Sequence, residues 1–225
     1  MNSLHVIWTI TGIIFITYFI ISLVYKKLGV NNLENALVVA NGLRFINLKH
    51  IIGIVLFGIF PYTMMPELRY LINTIEIPKL HVLIPFLIVF FLSAFVANLS
   101  IKKHINIEKT YAHHYSFSDA WSYFIIRFLF LLCYEFFFRG VLLFMFLDHV
   151  TITLAILCNV ILYMLIHAFD SKKEILGTVP FGIILCLLTY FTNSIWYAFL
   201  VHLSLSAVYE ISIFYYSTLK NKTIS

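Results

Sequence analysis

Residues 121–147 read W-S-Y-F-I-I-R-F-L-F-L-L-C-Y-E-F-F-F-R-G-V-L-L-F-M-F-L, a continuous apolar run into which Arg127, Glu135 and Arg139 are set. A run of this length exceeds the roughly 20 residues needed to cross a hydrocarbon core. It has no two-residue alternation, so it reads as a helix rather than a barrel strand. Lipid offers no partners to backbone N–H and C=O groups, and a chain made of such runs is therefore a helix bundle. Each charge near the middle of a span costs at least about 2.5 to 3.5 kcal/mol, which forces it toward a bundle interior or water. Glu135 precedes Arg139 by one turn, the favourable order for an ion pair along a helix.

The remainder of the chain has the same character. It is 62% hydrophobic and only 11% charged, with a mean hydropathy of +0.97, whereas soluble domains carry about 25% charge. Seven runs qualify as spans: Leu4–Tyr25, Leu48–Met65, Leu80–Ser100, Trp121–Leu147, Thr151–Phe169, Ile175–Phe191 and Ile195–Tyr216. The expected fold is an all-α polytopic membrane bundle of about seven transmembrane helices, a single integral membrane domain over residues 1–225. The first run follows a neutral start and lacks a small-residue cleavage site, so it reads as a retained span. The second is short and closed by Pro61 and Pro66. Before it, Leu33, Leu37, Ala40 and Arg44 follow helical spacing, which suits an interfacial amphipathic helix or a polar linker helix.

The net charge of +5 does not point to nucleic acid, because the basic residues are scattered beside hydrophobic spans instead of forming one stripe. They act as topology signals. Lys26, Lys27, Arg44 and Lys49, then Lys102, Lys103 and Lys109, then Lys172 and Lys173, then Lys220 and Lys222 fall in alternate connections. Cytoplasmic segments are enriched in such residues, which places the N-terminus outside and the C-terminus in the cytoplasm of a cell-membrane protein. Cys133, Cys158 and Cys186 lie within apolar spans and read as packing residues, with no disulfide framework. His104, His113 and His114 sit in the polar connection Lys102–Ala120 and read as solvated loop histidines, since no fourth ligand converges with them.

Polar side chains recur at four-residue spacing on three of the spans. Arg127, Leu131, Glu135 and Arg139 share one face of the fourth; Asn159, Tyr163 and His167 share one face of the fifth; His202, Ser206 and Glu210 share one face of the seventh. A buried ion pair can simply lock a bundle, and a lone intramembrane histidine can be a satisfied core residue. Three stripes in one short bundle argue for more, because ionisable groups gather where a polar substrate or water is handled. A glutamate beside two histidines can activate water or hold a metal.

These residues resemble the motifs of the CAAX protease and bacteriocin-processing (CPBP, or Abi) intramembrane proteases, EExxxR, FxxxH and HxxxN or HxxxD on three helices. Here they read Y-E-F-F-F-R-G at Tyr134–Gly140, Y-M-L-I-H at Tyr163–His167 and H-L-S-L-S at His202–Ser206. The resemblance covers Trp121–Tyr216, a CPBP/Abi-like core. It implies peptide hydrolysis within the membrane, on a membrane-associated or lipidated peptide or protein. Its implied catalytic residues are Glu135, Arg139, His167, His202 and Ser206. His167, assisted by Glu135, would deprotonate water; His202 and Ser206 would stabilise the oxyanion; Arg139 would support Glu135.

Two positions depart from the pattern. Tyr134 stands where the family has its first glutamate, the expected base, and Ser206 stands for Asn or Asp. A serine hydroxyl still donates one hydrogen bond. Glu210 is a substitute carboxylate two turns beyond His202. Zinc held by Glu135, His167 and His202, with water as the fourth ligand, is a chemically reasonable variant; without an HExxH motif a metal-free site is preferred. The rival readings are a catalytically inactive relative that binds peptides or partner proteins, supported by Tyr134, and a small transporter, which would call for half-helix breaks or a repeated half.

Helix arithmetic sets a constraint on any common site. Measured from the outer ends of their spans, His167 lies about 24 Å deep, Glu135 about 18 Å and His202 about 10 Å. Tilt, a sunken turn at Thr192–Ser194 or a shifted boundary has to absorb about 10 Å.

Overall fold

Long apolar runs fold here as sequence length and hydropathy require. In a computed structural model, which describes residues 3–104, 115 and 117–216, the chain runs through α1 (Ser3–Lys27), α2 (Leu33–Val38), α3 (Gly42–Met64), α4 (Tyr70–Asn73), α5 (Leu80–His104), α6 (Asp119–Leu147), α7 (Ile152–Ile166), α8 (Lys172–Thr192) and α9 (Trp196–Phe214). Among the described residues there is no strand. Six helices, α1, α3, α5, α6, α8 and α9, are long and apolar enough to cross a membrane. The seventh apolar helix, α7, has 15 residues and is about 22 Å long. The protein is thus an all-α, multi-pass bundle. His113, His114, Lys109, Lys220 and Lys222 lie outside the described residues.

The second span begins at Gly42 rather than Leu48, so Arg44 and Lys49 belong to it and not to the preceding connection. Arg44 is exposed, whereas the Lys49 ammonium lies 6.0 Å from the centre of the Tyr18 ring and 5.9 Å from that of Tyr25. A long aliphatic stem with a cationic tip accommodates that placement. The run Leu33–Arg44 is also not one amphipathic helix. It breaks at Asn41, which is left-handed at φ 57°, a conformation asparagine tolerates better than most residues. Leu33, Ala36 and Leu37 of α2 pack inside the protein against Leu43, Ile46 and Ile213, and Glu34 accepts a hydrogen bond from the Tyr209 hydroxyl on α9. Its apolar face is covered by protein, which rules out the interfacial placement.

Gly42 allows this junction, because a Cβ there would collide with the Ala36 backbone carbonyl. Gly42→Ala is expected to destabilise the bundle by about 1 to 3 kcal/mol, the usual cost of overpacking a close contact. A lowered midpoint of thermal unfolding in detergent, followed by tryptophan fluorescence, checks this.

Two spans widen into a π-helical turn, α3 at Val55–Ile59 and α6 at Phe136–Leu142. In α3 the cause is Pro61, whose ring cannot sit against the carbonyl four residues earlier; a widened turn relieves the clash. The two turns pack on each other, with the Phe57 and Phe137 rings stacked at 4.5 Å.

The turn between α8 and α9 is sunk into the protein. Ser194 and Ile195 are buried, covered by the chain from Leu71 to Glu76. Ile195 N–H donates to the Leu71 carbonyl at 3.0 Å, Trp196 Nε1 to Ile72 at 2.7 Å and the Tyr197 hydroxyl to Glu76 at 2.5 Å. Starting α9 below the surface lowers His202. Meanwhile α7 ends three residues before the Phe169 expected from hydropathy, with His167 as its cap. The sunken start of α9 is the feature that reduces the depth mismatch between the histidines; the earlier end of α7 leaves His167 as far from Thr151 as before.

Candidate active site

The last α-helical turn of α6 presents Tyr134 and Glu135, and the π-helical turn that follows carries Arg139. A π turn does not satisfy its backbone as regularly as an α turn, and such turns occur often at functional sites. The Phe138 carbonyl within it takes a bond from the Leu143 N–H and a second from Asn159 Nδ2 on α7 at 2.5 Å. Asn159 in turn accepts from the Cys186 thiol on α8 at 3.3 Å. Thus Asn159, on the same stripe as His167, clamps the backbone of the motif helix.

Glu135 joins α6 to α9. Its Oε1 lies 2.5 Å from His202 Nδ1, and its Oε2 lies 3.4 Å from Arg139 Nε. Glu135 and Arg139 are both 0% exposed. The Arg139 guanidinium also sits 4.1 Å from the centre of the Tyr163 ring, a favourable cation–π approach. Among the described residues its three nitrogens and Glu135 Oε2 have no well-aligned hydrogen-bond partner. Buried polar atoms in native proteins rarely go without a partner, which marks this centre as a candidate site.

His167 occupies the opposite wall. Its Nε2 lies 3.2 Å from the Tyr134 hydroxyl and its Nδ1 2.7 Å from Asp170 Oδ2. The His167 and Asp170 side chains are each 26% exposed, so this end of the site opens outward while the Glu135 end is closed. The Tyr134 ring lies between the two histidines, 6.3 Å from His167 and 6.2 Å from His202 between ring centres. Glu135, His202 and Arg139 therefore form one group and His167, Asp170 and Tyr134 another, facing each other across Tyr134. Among the expected partners, Glu135 bonds His202 rather than His167. Ser206 is buried one turn beyond His202 and makes no side-chain hydrogen bond with the described residues.

Glu210 is committed elsewhere. It accepts from Arg127 at 2.9 Å and from the Tyr123 hydroxyl at 2.8 Å, about 12 Å along α9 from His202. It cannot replace a carboxylate at the histidines. Nor do Glu135, His167 and His202 gather as a zinc set. Among the described residues no three His, Cys, Asp or Glu side chains are arranged to hold a metal ion, since His202 Nδ1 faces Glu135 and His167 Nε2 faces Tyr134. The donor geometry does not fit zinc.

The family model of the type II CAAX prenyl endopeptidases, Rce1-like, matches residues 83–208, more than half of the chain. The protein belongs to the Rce1-like CAAX protease family. Neither the curated proteins nor the solved structures contain a match. In this Rce1-like protein the matched stretch begins in α5 and includes Tyr134, Glu135, Arg139, His167, Asp170, His202 and Ser206, while Glu210 falls beyond it. At the level of the family, membership denotes a CAAX-type intramembrane protease. Asp170 was not singled out by sequence reasoning, although an acid three residues past a histidine that ends a helix is a readable signal.

Proposed function

We propose that this protein hydrolyses a peptide bond in a membrane-associated or lipidated peptide, using water activated by its histidines and glutamate. Two histidines on separate helices, each backed by a carboxylate and facing the other across one aromatic ring, carry this reading. His167, at the partly exposed end where water can arrive, is the base that stores the proton released when water attacks. His202 is oriented by its Nδ1 bond to Glu135; as the imidazolium, with a proton on each ring nitrogen and Glu135 as its counter-charge, it donates from Nε2 toward the developing oxyanion. Ser206 adds a hydroxyl donor on the same face of α9. Arg139 supplies the counter-charge to Glu135. A preorganised donor of this kind contributes about 10²- to 10³-fold in rate.

The substrate class follows from the family's prenyl endopeptidase chemistry, and the setting is a cell membrane, with the N-terminus outside by the distribution of Lys and Arg. A second reading rests on Tyr134, whose hydroxyl occupies His167 Nε2. In that case the protein binds peptides or partner proteins without cleaving them.

The purified protein in lipid vesicles, given a quenched fluorescent peptide ending in a farnesylated CAAX sequence, separates the two. Turnover, with the cut bond located by mass spectrometry, is the expected result, and EDTA should leave the rate unchanged. Binding without product would establish the second reading.

A further inference from the structure

We infer that Tyr134, His167 and Asp170 act as one hydrogen-bonded proton relay in which the Tyr134 hydroxyl, rather than a carboxylate, is the group that meets the attacking water. The inference rests on the hydrolytic reading above. Three contacts define it. Asp170 Oδ2 lies 2.7 Å from His167 Nδ1, His167 Nε2 lies 3.2 Å from the Tyr134 oxygen, and the Tyr134 ring faces His202 at 6.2 Å. A carboxylate at Nδ1 holds the imidazole with its proton on that nitrogen. Nε2 then presents a lone pair, and the Tyr134 O–H donates to it.

The order of groups matters. Because the Tyr134 oxygen already occupies Nε2, water approaching between the two histidines meets the phenol before the imidazole. As water attacks, its proton passes to the Tyr134 oxygen while the phenolic proton passes to His167 Nε2. The water oxygen bonds to the carbonyl carbon, and the carbonyl oxygen gains negative charge beside His202. When the C–N bond breaks, the imidazolium returns its proton through Tyr134 to the leaving nitrogen. The products are a carboxylic acid and an amine, and Tyr134 and His167 end as they began. Asp170 touches neither water nor substrate; it is a positioning residue that keeps His167 in the accepting tautomer. Tyr163, 4.8 Å from the His167 ring centre, walls the relay on its far side with an aromatic face.

The test uses the full-length protein in vesicles with the farnesylated peptide, comparing wild type, Tyr134→Phe, Tyr134→Glu, Asp170→Asn and Asp170→Glu. Tyr134→Phe and Asp170→Asn are expected to lower kcat by about 10²-fold or more with KM nearly constant, the size of a lost general acid–base contribution. Tyr134→Glu should exceed Tyr134→Phe because a carboxylate can take the proton from water directly, and Asp170→Glu should recover part of the Asp170→Asn loss. Turnover by Tyr134→Phe close to wild type overturns the relay while leaving the hydrolytic reading intact. A silent wild type with an active Tyr134→Glu variant overturns it as well, again without harming the family site. An activity-independent readout is the ¹⁵N spectrum of histidine-labelled protein, with His167 assigned by its absence in His167→Gln. The relay requires His167 protonated at Nδ1 in wild type and a shifted tautomer balance in Asp170→Asn; a wild-type His167 protonated at Nε2 overturns the relay whatever the peptide assay reads.

Discussion

Glu135→Gln is expected to lower kcat/KM by about 10²- to 10³-fold and to destabilise the bundle by about 3 to 5 kcal/mol. Both effects arise from one position. The glutamine keeps the size of the side chain, so packing within α6 is preserved. Its single carbonyl oxygen can accept from His202 or sit near Arg139, and its NH₂ must then point at the other, donor against donor. Arg139, 0% exposed, loses the carboxylate beside it, and an unpaired buried cation accounts for the stability loss. His202 loses the carboxylate that orients it, which accounts for the rate loss. A double variant, Glu135→Gln with Arg139→Met, separates the two. Removing both charges should restore most of the unfolding midpoint, because buried pairs replaced by apolar groups are often neutral for stability. Activity should stay low. With the Arg139→Met single variant completing the cycle, the coupling energy measures the pair, and near-wild-type turnover by the double variant would remove Glu135 from the chemistry.

The fold was legible in the sequence because apolar length is a strong signal in a membrane chain, and the site residues were legible because charge inside such a run is costly. What could not be read was who pairs with whom. Four-residue spacing places Arg127, Glu135 and Arg139 on one face of α6, yet it does not say which neighbouring helix meets them. The antiparallel packing of α6 on α9 decides this. Glu135 faces His202, and two turns away Arg127 faces Glu210, so the second acid that seemed free on α9 is already paired. Asp170 escaped notice because hydropathy carried the fifth span through Phe169 and left the acid outside it, whereas the helix ends at Ile166. The early start of α3 was hidden in the same way, since Arg44, Asn47, Lys49 and His50 make its first turns look like a loop. His50 is in fact buried and stacked on Phe130, 4.8 Å between ring centres. The π-helical turns have no sequence signature except Pro61.

Asn159→Leu tests whether the π-helical turn of α6 positions the site or merely tolerates it. Asn159 is fully buried and makes two hydrogen bonds that leucine cannot, one to the Phe138 carbonyl and one from Cys186. Their loss, without new partners in a buried helix interface, is expected to cost about 2 to 4 kcal/mol. The shape of the side chain is nearly conserved, so a cavity contributes little. The functional effect should be out of proportion to this. The Phe138 carbonyl sits in the middle of the widened turn, next to Arg139, and an α-helical relaxation of that turn would rotate Arg139 away from Glu135 and the Tyr163 ring. Turnover is therefore expected to fall by about tenfold or more at temperatures where the variant remains folded. Asn159→Asp keeps an acceptor for Cys186 but sets a carboxylate against the Phe138 carbonyl, and should lose both stability and activity more severely. If Asn159→Leu instead lost stability while its folded fraction cleaved peptide at the wild-type rate, the clamp would be a packing device and the placement of Arg139 would be set by Tyr163 and Glu135 alone.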